Sequence, residues 1–367
     1  MPPGSSSQDA ERAVPPTRQL PVVPPPPPRG PRPPAQGTGR RPGRGRRLLR
    51  TLLLLLLAFL VYALAVPWHA YSSVTRVDST PSGERPSAGQ GANYLLVGSD
   101  SRAGLSAEQE QELATGQTDG NRSDTIMLLH QSESGMSSLV SIPRDSYVEI
   151  PGHGRNKINA AFSLGGPQLL AASVENATGL RLDGYLEIGF GGFAGTVDAL
   201  GGVDICLDAP MKDDMAGIDL PAGCQTLSGP NALGYVRARY SDPRGDIGRA
   251  ERQRTFLSAV VAKAARPSTV LNPWRYWDFT HAGAAGIKLG EDTSMSETAS
   301  MLMTMRSVSA GEGLSLVVPI RTTALQTKAG VAVQWDKERA LALFDALKKD
   351  EPLTGPPAGT DGQPSAG

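Results

Sequence analysis

Tyr235–Arg254 reads YVRARYSDPRGDIGRAERQR, with six arginines in the eighteen residues from Arg237 to Arg254. Tyr235–Arg239 alternates other side chains with Arg237 and Arg239, which predicts a strand with both guanidinium groups on one face. Arg249, Arg252 and Gln253 follow at i, i+3 and i+4, the spacing of one helix face. A strand and then a helix would aim four guanidinium groups and an amide at one place, in an α/β arrangement. Taken by itself, the run also fits a solvated surface paired with Asp242, Asp246 and Glu251.

The helical stripe continues as Phe256, Leu257, Val260 and Ala264. A cationic first turn leading into an apolar face suits a ligand with a phosphate head and a hydrocarbon tail, such as a polyprenyl pyrophosphate. A helix facing a protein core gives the same stripe. Arginine forks match phosphate oxygens two at a time and keep their charge, so a polyphosphate is the natural guest. Further basic sites stand at Ser141-Ile142-Pro143-Arg144-Asp145, just past an apolar run, and in the loop Arg155-Asn156-Lys157. Asp100 follows the strand-like run Tyr94–Val97, and Asp124 precedes Thr125–His130. Two carboxylates at strand ends, beside Arg102 and Arg122, suit a hard cation such as magnesium, with manganese as a substitute. Each also fits a turn cap paired with its neighbouring arginine.

Strand patterns recur at Ser138–Ile142, Tyr185–Ile188, Val203–Leu207 and Leu314–Pro319. Helical periods cover Gly166–Thr178, Gly192–Leu200, Arg249–Ala265, Ser296–Ser307 and Trp335–Lys348. Alternating strands and helices predict an α/β layered domain of about 260 residues, residues 93–349, large enough for a full core. No G-x-x-x-x-G-K-[ST] loop occurs. Gly189-x-Gly191-x-x-Ala194 satisfies a loose dinucleotide pattern but reads as close packing. The four histidines, His69, His130, His153 and His281, are scattered, which gives little support to a histidine-based hydrolase or zinc site.

Residues 1–47 are rich in Pro and Arg and read as a disordered tail. Arg40, Arg41, Arg44, Arg46, Arg47 and Arg50 immediately precede the apolar run Leu52–Val66. Flanked by Leu48, Leu49 and Trp68, that run predicts a membrane helix over 48–68. A cleaved leader does not suit so long a tail. The positive-inside rule sets the tail in the cytoplasm and the remainder outside. Residues 69–92 read as a Ser/Pro/Gly linker, and 350–367 as a flexible terminus. The chain is neutral overall, and ten Arg against Asp9 and Glu11 make residues 1–50 +8. The remainder is therefore −8, which argues against nucleic acid as a partner. Cys206 and Cys224, both in the external part, are expected to form a disulfide.

Six ordered blocks resemble the LytR-CpsA-Psr family of cell-wall enzymes: NYLLVGSDSR, RSDTIMLLH, SIPRDSYVEIPG, KINAAFSLGG, ALGGVDICLD and YVRARYSDPRGDIGRAERQR. The resemblance is to the actinobacterial type, in which a similar cysteine pair is seen. It implies a single-pass membrane protein with a three-layer α/β/α external domain around a central mixed sheet. The implied activity is transfer of an anionic glycopolymer from a polyprenyl-pyrophosphate carrier to a peptidoglycan hydroxyl. It further implies that Asp100 and Asp124 bind magnesium, and that Arg122, Arg144, Arg237, Arg239, Arg249 and Gln253 grip the pyrophosphate. Arg102, Lys157 and Arg252 lie in the same motifs and are expected to support them, with Phe256, Leu257 and Val260 along the lipid tail. Catalysis would rest on Arg144 and Arg249. Asp145 or a metal-bound carboxylate is open as the base. Water as the acceptor, giving a hydrolase, and a non-enzymatic scaffold or sensor are the alternatives.

Overall fold

A computed structural model describes Gly30 and Leu113 together with residues 44–100, 123–238 and 246–364. The expected tail over 1–47 lies almost wholly outside the described residues, as do Arg102, Arg122 and Arg239. Residues 1–58 and 59–367 form separate compact units. Helix α1 (Arg44–Ser73) begins in the first, where Leu52–Leu57 are all exposed. Its stretch Arg47–Ser73 is long and apolar enough to cross a membrane. In the second unit the helix outlasts the expected 48–68, and Val66, Ala70 and Val74 are buried. Val74 alone separates α1 from strand β1 (Thr75–Val77). The stretch read as a linker is therefore partly sheet. It is also pinned further on, where Arg85 Nε donates to both oxygens of Glu175 at 3.1 Å.

A seven-stranded sheet organises the second unit. In chain order its strands are β1, β2 (Ala92–Ser99), β3 (Ser123–Gln131), β4 (Ser138–Ile142), β5 (Gly184–Ile188), β6 (Ile287–Gly290) and β7 (Leu314–Val317). Across the sheet they lie β1-β6-β5-β2-β3-β4-β7. Neighbours β1/β6, β5/β2 and β4/β7 are parallel and the other pairs antiparallel, a mixed sheet.

Both sheet faces are covered, so the central strands are apolar throughout rather than alternating. On β2, Leu95 and Val97 face a core shared with helices α2 (Ile158–Thr178) and α8 (Lys337–Lys348). Tyr94 and Leu96 face the opposite core, shared with α7 (Met295–Ser309), Leu257 and Val261 of α5 (Asp246–Ala264), and the end of α1. The result is an α/β/α sandwich. Helix α2 starts eight residues before the expected Gly166, because Gly165 and Gly166 take non-helical angles just ahead of Pro167 and break the period. A capping box of Ser294 and Glu297 starts α7.

A second core lies beside the sandwich, built on α3 (Phe190–Ala199), α4 (Gly229–Arg237), Phe256 and two small ribbons. Here one expectation is corrected: Tyr235-Val236-Arg237 is the last turn of a helix, not a strand. Pro230 in the first turn favours the helix, and Gly234 packs on Ala216 and Ile218, where a β-carbon would lie 2.1 Å from an Ile218 methyl. In the ribbon of Val203–Leu207 and Gly223–Leu227, Cys206 and Cys224 are register partners and form a disulfide. Cys206→Ser with Cys224→Ser is expected to lower stability by about 3 kcal/mol, from the loop the bond closes. A fall in the urea midpoint with an unchanged slope is the signature to look for.

The Gly/Pro-rich terminus expected to be flexible is instead held, as far as residue 364. Val317 N–H donates to Thr360 O at 2.8 Å, and Pro364 bridges Ile320. Asp350, at φ 50°, is buried, and its carboxylate accepts the N–H groups of Glu133 and Ser134 at 2.8 and 2.9 Å. Burial pushes this carboxyl up, but bonds from Ser132, Glu133, His130 and Ser134 outweigh it and hold it below the ordinary carboxylate value. A depressed folded value adds stability above the unfolded one, and that stability is lost as pH falls through the folded value. Stability measured by denaturant titration is thus expected to drop below about pH 4. Asp350→Asn is expected to remove part of that slope while lowering stability at neutral pH.

Candidate active site

Strand directions bring the acidic and basic motifs to one end of the sheet. Strand β2 ends there at Ser99, followed by the half-buried Asp100. Antiparallel β3 begins there. Its register with β2 pairs Gly98 with Thr125 and Ser99 with Ser123. The extra residue on β3 is Asp124, so one candidate metal ligand is the residue a β-bulge inserts, a feature common next to active sites. Strand β4, antiparallel to β3, ends at Ile142 opposite Ile126 and delivers Pro143-Arg144-Asp145 to the same end.

Asp145 organises the cations at this edge. Lys157 Nζ lies 3.1 Å from Oδ1 and Arg144 Nε 3.8 Å from Oδ2. Lys157 ends a strand, Gly154–Lys157, paired with Tyr147–Ile150. Arg249, in the first turn of α5, is buried, and with Arg144, Asp145, Ser141 and Gln253 it lines a cleft of about 50 Å³. Arg252 is also buried, but its guanidinium donates to Ala238 O, and Gln253 Nε2 donates to Val236 O at 3.3 Å. These two bonds tie α5 to the end of α4. Arg237 ends α4, stacks on the Phe190 ring at 4.8 Å and donates to Leu113 O at 3.1 Å.

Next to the cleft is an apolar cavity of about 180 Å³. Phe256, Leu257 and Val260 of α5 line it, as the helical stripe predicts, together with Phe190, Phe193 and Met305. Arg237 stands at its wall, and Thr125, Met127 and Gln253 border both this cavity and the cationic cleft. A charged compartment and a greasy one therefore share a wall, the arrangement an amphiphile needs.

The sequence reading missed Glu187, a nearly fully buried carboxylate on β5. It accepts from Ser99 Oγ at 2.8 Å, Tyr185 hydroxyl at 2.9 Å and Lys288 Nζ at 2.9 Å, and so fixes the strand end that presents Asp100. Burial, and then the adjacent Glu187, push the Tyr185 hydroxyl up, so it stays a donor at working pH. The only signal in the sequence is one Glu in the otherwise apolar run Tyr185–Ile188. The histidines are not all scattered either: His69 and His281 meet at 3.1 Å, far from these residues in sequence.

The pattern that defines the LytR_cpsA_psr family matches residues 68–337, and the chain belongs to that family. It is 44% identical over 304 residues to the probable cell wall biosynthesis protein LcpB of Corynebacterium glutamicum, covering 83% of this chain and 72% of that one. It is 37% identical over 190 residues to the polyisoprenyl-teichoic acid–peptidoglycan teichoic acid transferase TagU of Bacillus anthracis, covering 51% of this chain and 57% of TagU. The LytR-Csp2A-Psr enzyme from Actinomyces oris shares the fold at a TM-score of 0.57 and 22% identity, covering 75% of this chain and 96% of that structure.

Proposed function

We propose that the protein transfers an anionic cell-wall glycopolymer from a polyprenyl-pyrophosphate carrier to a peptidoglycan sugar hydroxyl, on the outer face of the cell membrane. The supporting observation is the wall shared at Gln253 by the cationic cleft and the apolar cavity. The pyrophosphate lies against Arg144 and Arg249, with Arg237 at the entrance and Arg122 and Arg239 as further grips from the same motifs. The polyprenyl chain occupies the cavity along Phe256, Leu257 and Val260. The acceptor hydroxyl attacks the phosphorus attached to the glycopolymer, the bond from that phosphorus to the bridging oxygen breaks, and polyprenyl phosphate leaves carrying the proton. The arginines neutralise charge that builds on the phosphoryl oxygens, so little covalent chemistry is asked of the protein. Asp145 has each oxygen facing a cation, which suits a role in positioning Arg144 and Lys157 better than one as the base.

Asp100 and Asp124 would hold a magnesium ion, which takes one or two carboxylates and completes its shell with water and phosphate. Ser123 Oγ, next to Asp124 and buried, has no hydrogen-bond partner among the described residues, which fits a polar guest at this strand end. Such an ion would supply further charge neutralisation. By the positive-inside rule, the arginines as far as Arg50 support an N-terminus in the cytoplasm.

The test is to incubate the purified full chain with a synthetic polyprenyl-pyrophosphate glycan, peptidoglycan and Mg²⁺, with a chelator control. Glycan covalently joined to peptidoglycan, lost on chelation, is expected. Free phosphorylated glycan in the presence of a competent acceptor would replace transfer with hydrolysis, and no turnover would leave a scaffold.

A further inference from the structure

Helix α6 (Pro273–Gly286) and the short helix Pro267–Val270 before it form an arm alongside the outer end of α1. Tyr62 hydroxyl donates to Pro273 O at 2.6 Å, and Tyr276 hydroxyl to Ala63 O at 3.1 Å. Pro67 lacks an N–H, so the carbonyl four residues earlier, that of Ala63, has no intrahelical partner; Tyr276 supplies one. Two turns further along, His69 Nδ1 lies 3.1 Å from His281 Nε2, and Trp277 stacks on His281 at 3.8 Å. His281 Nδ1 donates to Trp277 O, so its Nε2 accepts from His69. The arm is clasped parallel to α1, Pro273 beside Tyr62 and His281 beside His69.

Its exposed start is apolar, Leu271 being 63% exposed and Trp274 80%, with Val270 beside them, while the exposed charges Arg275 and Asp278 lie further along, level with Trp277. The uncharged run of α1 lies between Arg50 and His69, and a hydrocarbon core about 30 Å thick requires essentially all of it. Tyr62 precedes Trp68 by six residues, so it sits roughly 9 Å inside the outer boundary. Residues hydrogen-bonded to Tyr62 and Ala63 share that depth. The start of the arm is also poor in free donors, as immersion requires. Pro267 and Pro273 open the two helices without N–H groups, and Asn272 Oδ1 caps the N–H groups of Trp274 and Arg275. Arg275 has a stem long enough to bring its charge up to lipid phosphates.

We propose that this arm is a second membrane anchor. Val270, Leu271 and Trp274 are immersed among the acyl chains of the leaflet on the domain's side, with Trp277, His69 and His281 at the headgroup level. This requires only that α1 spans the bilayer. On the transferase reading it also has a use. The arm crosses α3 where Gly192 meets Gly286, so closely that a β-carbon on Gly192 would lie 2.1 Å from Gly286 O. Helix α3 carries Phe190 and Phe193 of the apolar cavity, so the arm ties the element that lines that cavity to one seated in the membrane.

The full chain is reconstituted into phosphatidylglycerol/phosphatidylethanolamine vesicles with and without bromine on the acyl chains, and wild type is compared with Trp274→Phe. Trp274 is exposed, so the substitution leaves the fold in place, and the difference spectrum isolates its emission. That emission is expected to be blue-shifted, at least halved by the brominated lipid and untouched by aqueous acrylamide. Quenching by acrylamide and not by bromine would put the arm in water and overturn the proposal. Protection from both would overturn it in favour of a second copy or another protein. Because no substrate is involved, failure of the transferase reading leaves this result standing.

Discussion

Arg249→Ala is expected to lower glycopolymer transfer by roughly 10²–10³-fold, the loss seen when one preorganised donor is removed from a charge-stabilising site. Arg249 is in the first turn of α5, where the helix itself favours anions, and its guanidinium borders the cleft beside Arg144. Charge on the phosphoryl oxygens is redistributed in the transition state, and a fixed fork there requires no reorganisation. The loss is therefore expected in kcat and in kcat/KM alike, whereas a residue that only held the carrier would raise KM and spare kcat. Arg249→Lys keeps the charge without the two-pronged geometry and is expected to fall between the two. Wild-type rates in Arg249→Ala would remove this residue from the proposed site.

Glu187→Ala is expected to lower stability by about 3 kcal/mol, the low end for breaking a buried ionic network. The low end applies because Lys288 is 29% exposed at its side chain and can turn to water, whereas Tyr185 and Ser99 lose a buried acceptor. Glu187→Gln, of the same shape, retains an acceptor and is expected to cost about 1 kcal/mol. Differential scanning calorimetry of the two variants separates shape from charge. Equal melting temperatures for Glu187→Gln and wild type would show that the charge carries nothing. Ser99 immediately precedes Asp100, so any activity lost in Glu187→Gln with little change in stability would mark Glu187 as a positioning residue.

The sandwich was legible because its strands are continuous apolar runs and its longer helices keep their period. The spacing from Arg249 to Val260 puts Arg249 and Gln253 at one cleft and Phe256, Leu257 and Val260 along one cavity, whereas Arg252 turns to the end of α4. The segment Tyr235–Arg239 misled because Tyr and Val favour strands. Local preference there gives way to the fit of Gly234 against Ile218, and the start signal lies upstream at Ser228-Gly229-Pro230. Glu187 was invisible because two of its three partners, Ser99 and Lys288, are 88 and 101 residues away in sequence, and no local pattern announces such a pairing. The arm was missed for a related reason: its meaning depends on Tyr62 and His69, more than two hundred residues earlier.

Helix α1 runs into strand β1 across the single buried residue Val74, with no free tether between them. Within residues 59–367, no unconstrained stretch lets the sheet swing away from the end of α1 or lengthens the link between them. On the proposed function, the reacting phosphorus is therefore held at one height above the lipid. Wall polymer must come within that height to be modified, so decoration would be confined to newly made strands next to the membrane. Inserting a flexible spacer after Ser73 would extend it to older layers.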